Sequence, residues 1–250
     1  MEKQPRVAIV TGGSRDIGRA ISLKLADMGI KVVVNYNSNK AEAEETLKRI
    51  KNNGGDGIIV QADVTKSEDI QRLISETTKA FGNHIHVLVN NAGGLVARKT
   101  LDEMDEAFWD HIMTLNLKSV FMITKMVAPY MEPGSSIVNI ASQAGRDGGG
   151  PGASAYATSK GAVMTFTRAM AKELGPKGIR VNAVCPGMIA TTFHDIFTKD
   201  EVREKVAAST PLRREGEACE VADLVGYLAN GEATFLTGTN IDINGGLLFS

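Results

Sequence analysis

The stretch Thr11–Gly18 reads TGGSRDIG and directly follows the apolar run VAIV at Val7–Val10. A β-branched run of this kind predicts a buried strand, which the glycines then end. Beyond them, apolar residues recur at helical spacing and predict one face of a helix that ends at Gly29. These residues are Ile17, Ile21, Leu25 and Met28. A glycine loop between a strand and a helix N-terminus favours phosphate binding. The stretch therefore predicts a phosphate site.

Two kinds of phosphate loop share this glycine spacing. A Walker A loop needs a lysine after its last glycine, and then a serine or threonine for magnesium. Arg19 and Ala20 occupy those positions, and alanine cannot bind a metal ion. We therefore favour dinucleotide binding, in which the pyrophosphate lies at a helix N-terminus of a doubly wound sheet.

Strands and helices are predicted to alternate along the whole chain. The apolar, β-branched runs are Val7–Val10, 31–35, 57–60, 86–89, Ser136–Ile140, 180–184 and Asn240–Ile243. This alternation predicts a parallel sheet covered by helices on both faces. No linker or repeat interrupts it, so we expect an α/β fold with one doubly wound domain over residues 1–250.

Composition excludes several classes of protein. The chain is 43% hydrophobic and 23% charged, with a formal net charge of −1, so it has no basic field for nucleic acid. No apolar run approaches the roughly 20 residues that span a bilayer, and the first residues lack a signal segment. We expect a cytoplasmic protein with reduced Cys185 and Cys219. The four histidines form no ligand cluster with these cysteines, so no metal site is expected.

Polar and glycine residues follow the ends of the later predicted strands. They are Asn90-Asn91-Ala92-Gly93, Ser142, the segment Tyr156–Lys160, Pro186-Gly187 and Thr191. The carboxyl ends of parallel strands meet at one edge, where open α/β sheets bind ligands. The sequence therefore predicts that these groups share a site with the glycine loop.

Tyr156 and Lys160 are four residues apart, so they share one face of a helix. Carbonyl reduction needs a proton donor at the oxygen, and a phenol with a pKa near 10 is poorly matched to neutral pH. An ammonium about 4 Å away would favour the phenolate by roughly 4 kcal/mol before desolvation. The pair therefore predicts an acid–base centre with a lowered tyrosine pKa.

In order and spacing, these motifs resemble the short-chain dehydrogenase/reductase family, whose pattern is TGxxxGxG, NNAG, Ser and YxxxK. The resemblance implies a seven-stranded parallel sheet, a nicotinamide cofactor and a homotetramer. It also implies that Tyr156 is the general acid and that Ser142 holds the substrate carbonyl. Lys160 would also bind the nicotinamide ribose, and Asn116 would orient a water for proton relay.

The resemblance further implies a set of cofactor contacts around the strand ends. Besides Tyr156 and Lys160, these residues are Gly12, Ser14, Arg15, Ile17, Gly18, Asn37, Asp63, Val64, Asn90, Ala92, Gly93, Pro186, Gly187, Ile189 and Thr191. No acid follows the second strand in Asn35–Lys40 to repel a 2′-phosphate. Arg15 matches a family arginine that meets this phosphate, so we expect NADPH, with NADH as the alternative.

Asp16 departs from the family pattern because it stands where the middle glycine is expected. Aspartate tolerates left-handed backbone better than most residues, so the turn is expected to survive. Its side chain is expected to face solvent or to pair with Arg15 or Arg19, and its charge to weaken cofactor binding.

Three stretches contain residues that the general family pattern does not specify: 93–99, 146–152 and 191–194. Together they resemble the reductases of alginate breakdown, which act on 4-deoxy-L-erythro-5-hexoseulose uronate. Four side chains are candidates to bind the carboxylate of this keto acid: Arg98, Lys99, Arg146 and His194. Alternatively, they are solvated loop charges.

Other functions fit the same general pattern. A 3-oxoacyl-carrier-protein reductase is the main alternative, with basic residues near the mouth docking an acidic carrier. A sugar dehydrogenase is a third hypothesis. A non-catalytic cofactor-binding regulator is expected to lack Tyr156 or Lys160, and this chain has both.

Overall fold

A computed structural model describes residues 6–249 and contains one seven-stranded sheet in the order β3-β2-β1-β4-β5-β6-β7. All paired strands are parallel. The strands are β1 (Val7–Val10), β2 (Lys31–Tyr36), β3 (Gly57–Gln61), β4 (Val87–Asn90), β5 (Ser136–Ile140), β6 (Arg180–Pro186) and β7 (Asn240–Ile243). The predicted doubly wound α/β fold is confirmed, and the predicted strand bounds are close to those observed.

Helices cover both faces of the sheet. They are α1 (Asp16–Asp27), α2 (Lys40–Asn52), α3 (Ser67–Phe81), α4 (Glu106–Met113), α5 (Ser119–Val127), α6 (Ala144–Asp147), α7 (Ser154–Leu174), α8 (Thr192–Phe197), α9 (Asp200–Ser209) and α10 (Ala218–Ala229). None of the helices in residues 6–249 is long and apolar enough to cross a membrane.

The core has one apolar layer on each side of the sheet. Ile21 and Leu25 of α1 and Val225 of α10 are fully buried against one face. Leu73 of α3 and Ile123 of α5 are buried against the other. Successive strand side chains point to opposite faces, so unbroken apolar strands supply both layers. Removal of this apolar surface from water stabilises the sheet beneath the site.

The strand order reverses direction between β1 and β4, because β2 lies on one side of β1 and β4 on the other. The turns after these two strands therefore diverge and leave a crevice at the carboxyl edge of the sheet. Both the glycine loop after β1 and the Asn91–Gly94 segment after β4 border this crevice. The sheet topology thus determines where a ligand can bind.

Candidate active site

The crevice is an open cleft of about 950 Å³ that extends from the glycine loop to α8 and α9. Every residue predicted to contact a cofactor lines it, except Asn90. The buried Asn90 amide donates to Thr124 Oγ1 at 3.1 Å and to Asn139 Oδ1 at 2.8 Å. The next residue, Asn91, lines the cleft although it is not among the predicted cofactor contacts.

Asn91 joins the loops after β1 and β4. Its side-chain amide donates to the carbonyls of Thr11 at 3.0 Å and Gly12 at 3.1 Å. In return, Thr11 Oγ1 accepts the backbone N–H groups of Asn91 and Ala92. Consecutive asparagines at a strand end face opposite ways, so the pair Asn90-Asn91 contained the signal for one asparagine inside and one at the site.

Glycines keep the floor of the cleft open. A Cβ on Gly18 would lie 2.1 Å from the Gly12 carbonyl oxygen, so α1 can approach the loop only with glycine there. A Cβ on Gly93 would lie 2.6 Å from Asn116 Oδ1 and 3.4 Å from Lys160 Nζ. No side chain caps the N-terminus of α1, whose first N–H groups lack helical partners. These features fit a pyrophosphate at the loop and a ribose beside Lys160.

Helix α7 carries Tyr156 and Lys160 into the cleft, with Lys160 Nζ 5.8 Å from the centre of the Tyr156 ring. The ammonium donates to the Ile140 carbonyl at 2.7 Å. Burial raises the pKa of Tyr156, and its hydrogen bond with Ser142 opposes part of this effect. The expected lowering of the tyrosine pKa is therefore absent here, because desolvation is the larger effect. The phenol is protonated at neutral pH, as a proton donor must be.

Burial also lowers the pKa of Lys160 from 10.5 to about 8. The folded protein therefore binds fewer protons at this side chain than the unfolded chain does between about pH 8 and 10.5, and stability rises through that window. From pH 7 to pH 9 the wild type should gain about 1.4 kcal/mol of unfolding free energy relative to Lys160→Met. Urea unfolding of both proteins at the two pH values measures this difference, and an equal pH dependence would contradict it.

Asn116 lies in a single π-helical turn, Thr114–Lys118, between α4 and α5. Its amide group donates to the carbonyls of Gly94 at 2.9 Å and Ile112 at 3.0 Å, and its Oδ1 accepts the Gly94 N–H at 2.9 Å. The fully buried side chain holds the segment after β4 in place. Its predicted part in a proton relay stays a prediction.

The structure separates the four candidate substrate cations. Arg98 and His194 line the cleft with Tyr156, whereas Lys99 and Arg146 do not. Arg146 donates to Asp242 Oδ1 at 2.7 Å and to the Asn240 carbonyl at 2.6 Å, beside β7. Lys99 lies near Asp105 and over the ring of Phe108. These partners hold both cations away from the cleft.

Burial lowers the pKa of His194, an effect that outweighs the nearby Glu215 carboxylate. His194 is therefore neutral at pH 7 and can serve as a hydrogen-bonding group rather than as a cation. Its Nδ1 lies 2.9 Å from Thr198 Oγ1. Arg98 is the only one of the four candidates that brings positive charge to the cleft.

The rim of the cleft near Arg98 is built from two loops that each contain a residue with left-handed backbone. Val96 has a φ of +65°, which is rare for a β-branched residue, and Ala97 donates to the Leu95 carbonyl across it at 2.7 Å. Gly152 has a φ of +75°, and a Cβ there would lie 2.9 Å from Arg98 Cβ. Glycine at this position therefore lets the 148–152 loop pack against Arg98.

A tyrosine–lysine pair beside a dinucleotide cleft defines a class of oxidoreductases that act on carbonyl and hydroxyl groups with a nicotinamide cofactor. The chain belongs to the short-chain dehydrogenase/reductase family. The family model described as Enoyl-(Acyl carrier protein) reductase matches residues 12–248.

Individual relatives agree on the class and differ in their names. A 3-oxoacyl-acyl-carrier-protein reductase FabG of Staphylococcus aureus is 38% identical and covers 98% of this chain and 99% of its own. A short-chain dehydrogenase/reductase from Serratia marcescens has a TM-score of 0.92 at 32% identity and covers 98% of both chains. The NADH-dependent reductase A1-R′, responsible for alginate metabolism, has a TM-score of 0.90 at 34% identity and covers 99% of this chain and 98% of its own.

Proposed function

We propose that the protein is an NADPH-dependent reductase of a small anionic keto acid, such as 4-deoxy-L-erythro-5-hexoseulose uronate. The observation that carries this proposal is the Arg98 guanidinium in the wall of the same cleft as Tyr156. A carboxylate and a carbonyl on one small molecule would then have separate partners. The similarity to an alginate-metabolism reductase supports the same substrate class.

Tyr156 and the residues around it would transfer the proton that carbonyl reduction requires. When bound, the nicotinamide cofactor supplies the hydride. The protonated Tyr156 hydroxyl donates a proton to the carbonyl oxygen, which Ser142 also contacts by a hydrogen bond. The Lys160 ammonium stabilises the phenolate that remains, because opposite charges attract strongly in a site with little water. The Ile140 carbonyl fixes the position of that ammonium.

Arg98 is positioned for a carboxylate by the two loops around it. Its Nε donates to the Phe197 carbonyl at 3.1 Å and its Nη1 to the Pro151 carbonyl at 3.0 Å. Within residues 6–249 its Nη2 has no hydrogen-bond partner, so it can donate to a substrate. A charged hydrogen bond of this kind is worth roughly 1.5–3 kcal/mol.

The preference for NADPH rests on the cofactor end of the cleft. Asn37, Ser38 and Asn39 line it after β2 without a carboxylate. The Arg15 side chain is 60% exposed, with Nε 3.8 Å from Asp16 and Nη1 3.5 Å from Thr192 Oγ1. A guanidinium held by such weak contacts can turn to meet a 2′-phosphate.

Arg98→Ala should raise KM for the keto acid at least about tenfold, because one charged hydrogen bond is lost. The KM for an uncharged carbonyl substrate should change much less, which separates charge recognition from damage to the rim. Arg146→Ala is the matched control, since Arg146 lies outside the cleft, and its KM should stay near the wild-type value. NADPH consumption with purified proteins measures both constants. Equal effects of Arg98→Ala on the two substrates would show that Arg98 shapes the cleft without binding carboxylate.

A 3-oxoacyl thioester reductase is the second candidate function. The apolar side chains Ile196, Val202 and Val206 line the cleft on α8 and α9 and would suit an acyl chain. The Staphylococcus aureus relative carries this name. Parallel assays with alginate-lyase products and with acetoacetyl thioesters decide between the two, because the proposed function requires a far larger kcat/KM for the keto acid.

A cytoplasmic homotetramer is also part of the proposal, on the family resemblance. β7 is an edge strand whose residues are only partly buried, and Phe235 and Phe249 leave large apolar surfaces exposed. Such surfaces favour association between subunits. Light scattering on the purified protein measures the oligomeric state directly.

A further inference from the structure

Asp16 does not merely replace a glycine, because its side chain contacts a segment far away in the chain. Oδ1 accepts the backbone N–H of Thr192 at 3.1 Å, and Oδ2 accepts the Thr192 hydroxyl at 2.5 Å. Its backbone has a φ of +49°, the left-handed geometry that a glycine would adopt freely. The expected proximity to Arg15 is also present, at 3.8 Å. Contact with Thr192 was not expected from the sequence.

Thr192 is the first residue of α8, and we define α8 and α9 with their junction, residues 192–209, as the lid. The N-cap residue Thr191 makes no side-chain cap, so α8 relies on Asp16 to accept its first N–H. A carboxylate at this end also interacts favourably with the positive pole of the helix dipole. The glycine loop therefore supplies the cap that the lid's own sequence lacks.

Other contacts also hold the lid to the body of the protein. At the end of α8, Arg98 Nε donates to the Phe197 carbonyl at 3.1 Å. In α9, Arg203 pairs with Glu215 at 2.7 Å. The Asp16 contact, with a longer one from Arg15 Nη1 to Thr192 Oγ1 at 3.5 Å, links the lid to the loop at the cofactor phosphate site. Phe193 follows Thr192 directly, and the centroid of its ring lies 6.0 Å from that of the Tyr156 ring.

The geometry points to Asp16 as a positioning residue that holds the lid over the substrate end of the cleft. The same contact explains how an acid is compatible with a phosphate loop. Thr192 binds both carboxylate oxygens and directs them toward the lid, while Arg15 offsets part of the charge. Lid position and occupation of the phosphate site are thereby coupled through one side chain, and such coupling acts in both directions.

Hydrogen–deuterium exchange of the unliganded protein tests this role without any substrate. Asp16→Asn keeps a side chain suited to left-handed backbone and removes the charge. It should speed amide exchange in residues 192–198 severalfold, because asparagine still accepts the Thr192 N–H while the hydrogen bonds lose their charge. Thr192→Val should act in the same direction, and Thr192→Ser, which retains the hydroxyl, should resemble the wild type. The double variant Asp16→Asn/Thr192→Val should show a less than additive effect, since both substitutions weaken the contact between these two side chains.

Controls separate a local effect from general destabilisation. Asp56→Asn makes the same charge change at an exposed pair with Lys31, far from the lid, and should leave lid exchange unchanged. Exchange in β4 and β5 should be unaffected by every variant. Wild-type exchange rates of the lid in both Asp16→Asn and Thr192→Val, or fully additive effects in the double variant, would overturn the assignment.

A kinetic measurement extends the test and rests on the proposed function. Asp16→Asn should raise KM for the keto acid severalfold with a smaller change in kcat at saturating NADPH, because the lid borders the substrate end whereas α7 carries the proton donor. If the wild type does not reduce the keto acid, the proposed function fails. The exchange result still decides the role of Asp16.

Discussion

Tyr156→Phe should lower kcat by about 10²- to 10⁴-fold, the usual contribution of a positioned general acid. The phenol lies in the cleft wall on α7, its pKa is raised by burial, and Lys160 Nζ lies 5.8 Å from the centroid of its ring. Phenylalanine keeps the ring and its packing against Phe193, so NADPH affinity should stay close to that of the wild type. Steady-state rates and fluorescence titration with NADPH measure the two quantities separately.

Tyr130→Phe is the matched control for this prediction. Tyr130 is 37% exposed and does not line the cleft, so the same loss of a hydroxyl should leave kcat unchanged. If Tyr156→Phe kept most of its kcat, the proton would come from another group and the assignment of Tyr156 would be wrong.

Asn37→Asp should shift cofactor preference from NADPH toward NADH by about a hundredfold in the ratio of kcat/KM values. Asn37 follows β2 and lines the cleft. A carboxylate there would hydrogen-bond a ribose 2′-hydroxyl and repel a 2′-phosphate. Charges about 4 Å apart near a protein surface repel by up to roughly 4 kcal/mol, and solvent screening reduces this to about 2–3 kcal/mol.

The neutral variant Asn37→Ser is the control, since it shortens the side chain without adding charge. It should leave the ratio near its wild-type value. A wild type that already favours NADH by kcat/KM would contradict the interpretation of Arg15 and of the loop after β2.

Local patterns in the sequence were sufficient for the fold and for the position of the candidate site. Apolar runs alternating with helical periodicity predicted the parallel sheet, because burial on both faces requires such strands. Glycines and polar residues at strand ends predicted the cleft, since parallel strands bring their carboxyl ends to one edge. Tyr156 and Lys160 were found together because helical spacing alone places them on one face.

Residues that depend on long-range contacts were beyond the reach of such patterns. Arg98 and Arg146 are both arginines in loops near the predicted site, yet Asp242 on β7 holds one of them outside the cleft. The spacing of Tyr156 and Lys160 predicted a lowered pKa for Tyr156, but burial raises it. Desolvation depends on the surrounding packing, which the spacing does not contain.

The sequence by itself determined the class of fold, the glycine loop after β1 and the tyrosine–lysine pair, because each is encoded by local patterns along the chain. Tertiary structure alone decided which of Asn90 and Asn91 faces the cleft, and that Asp16 contacts Thr192, 176 positions further along the chain. Side-chain direction at a strand end follows from the pairing of that strand. A contact between distant loops follows from how the sheet and its helices bring them together.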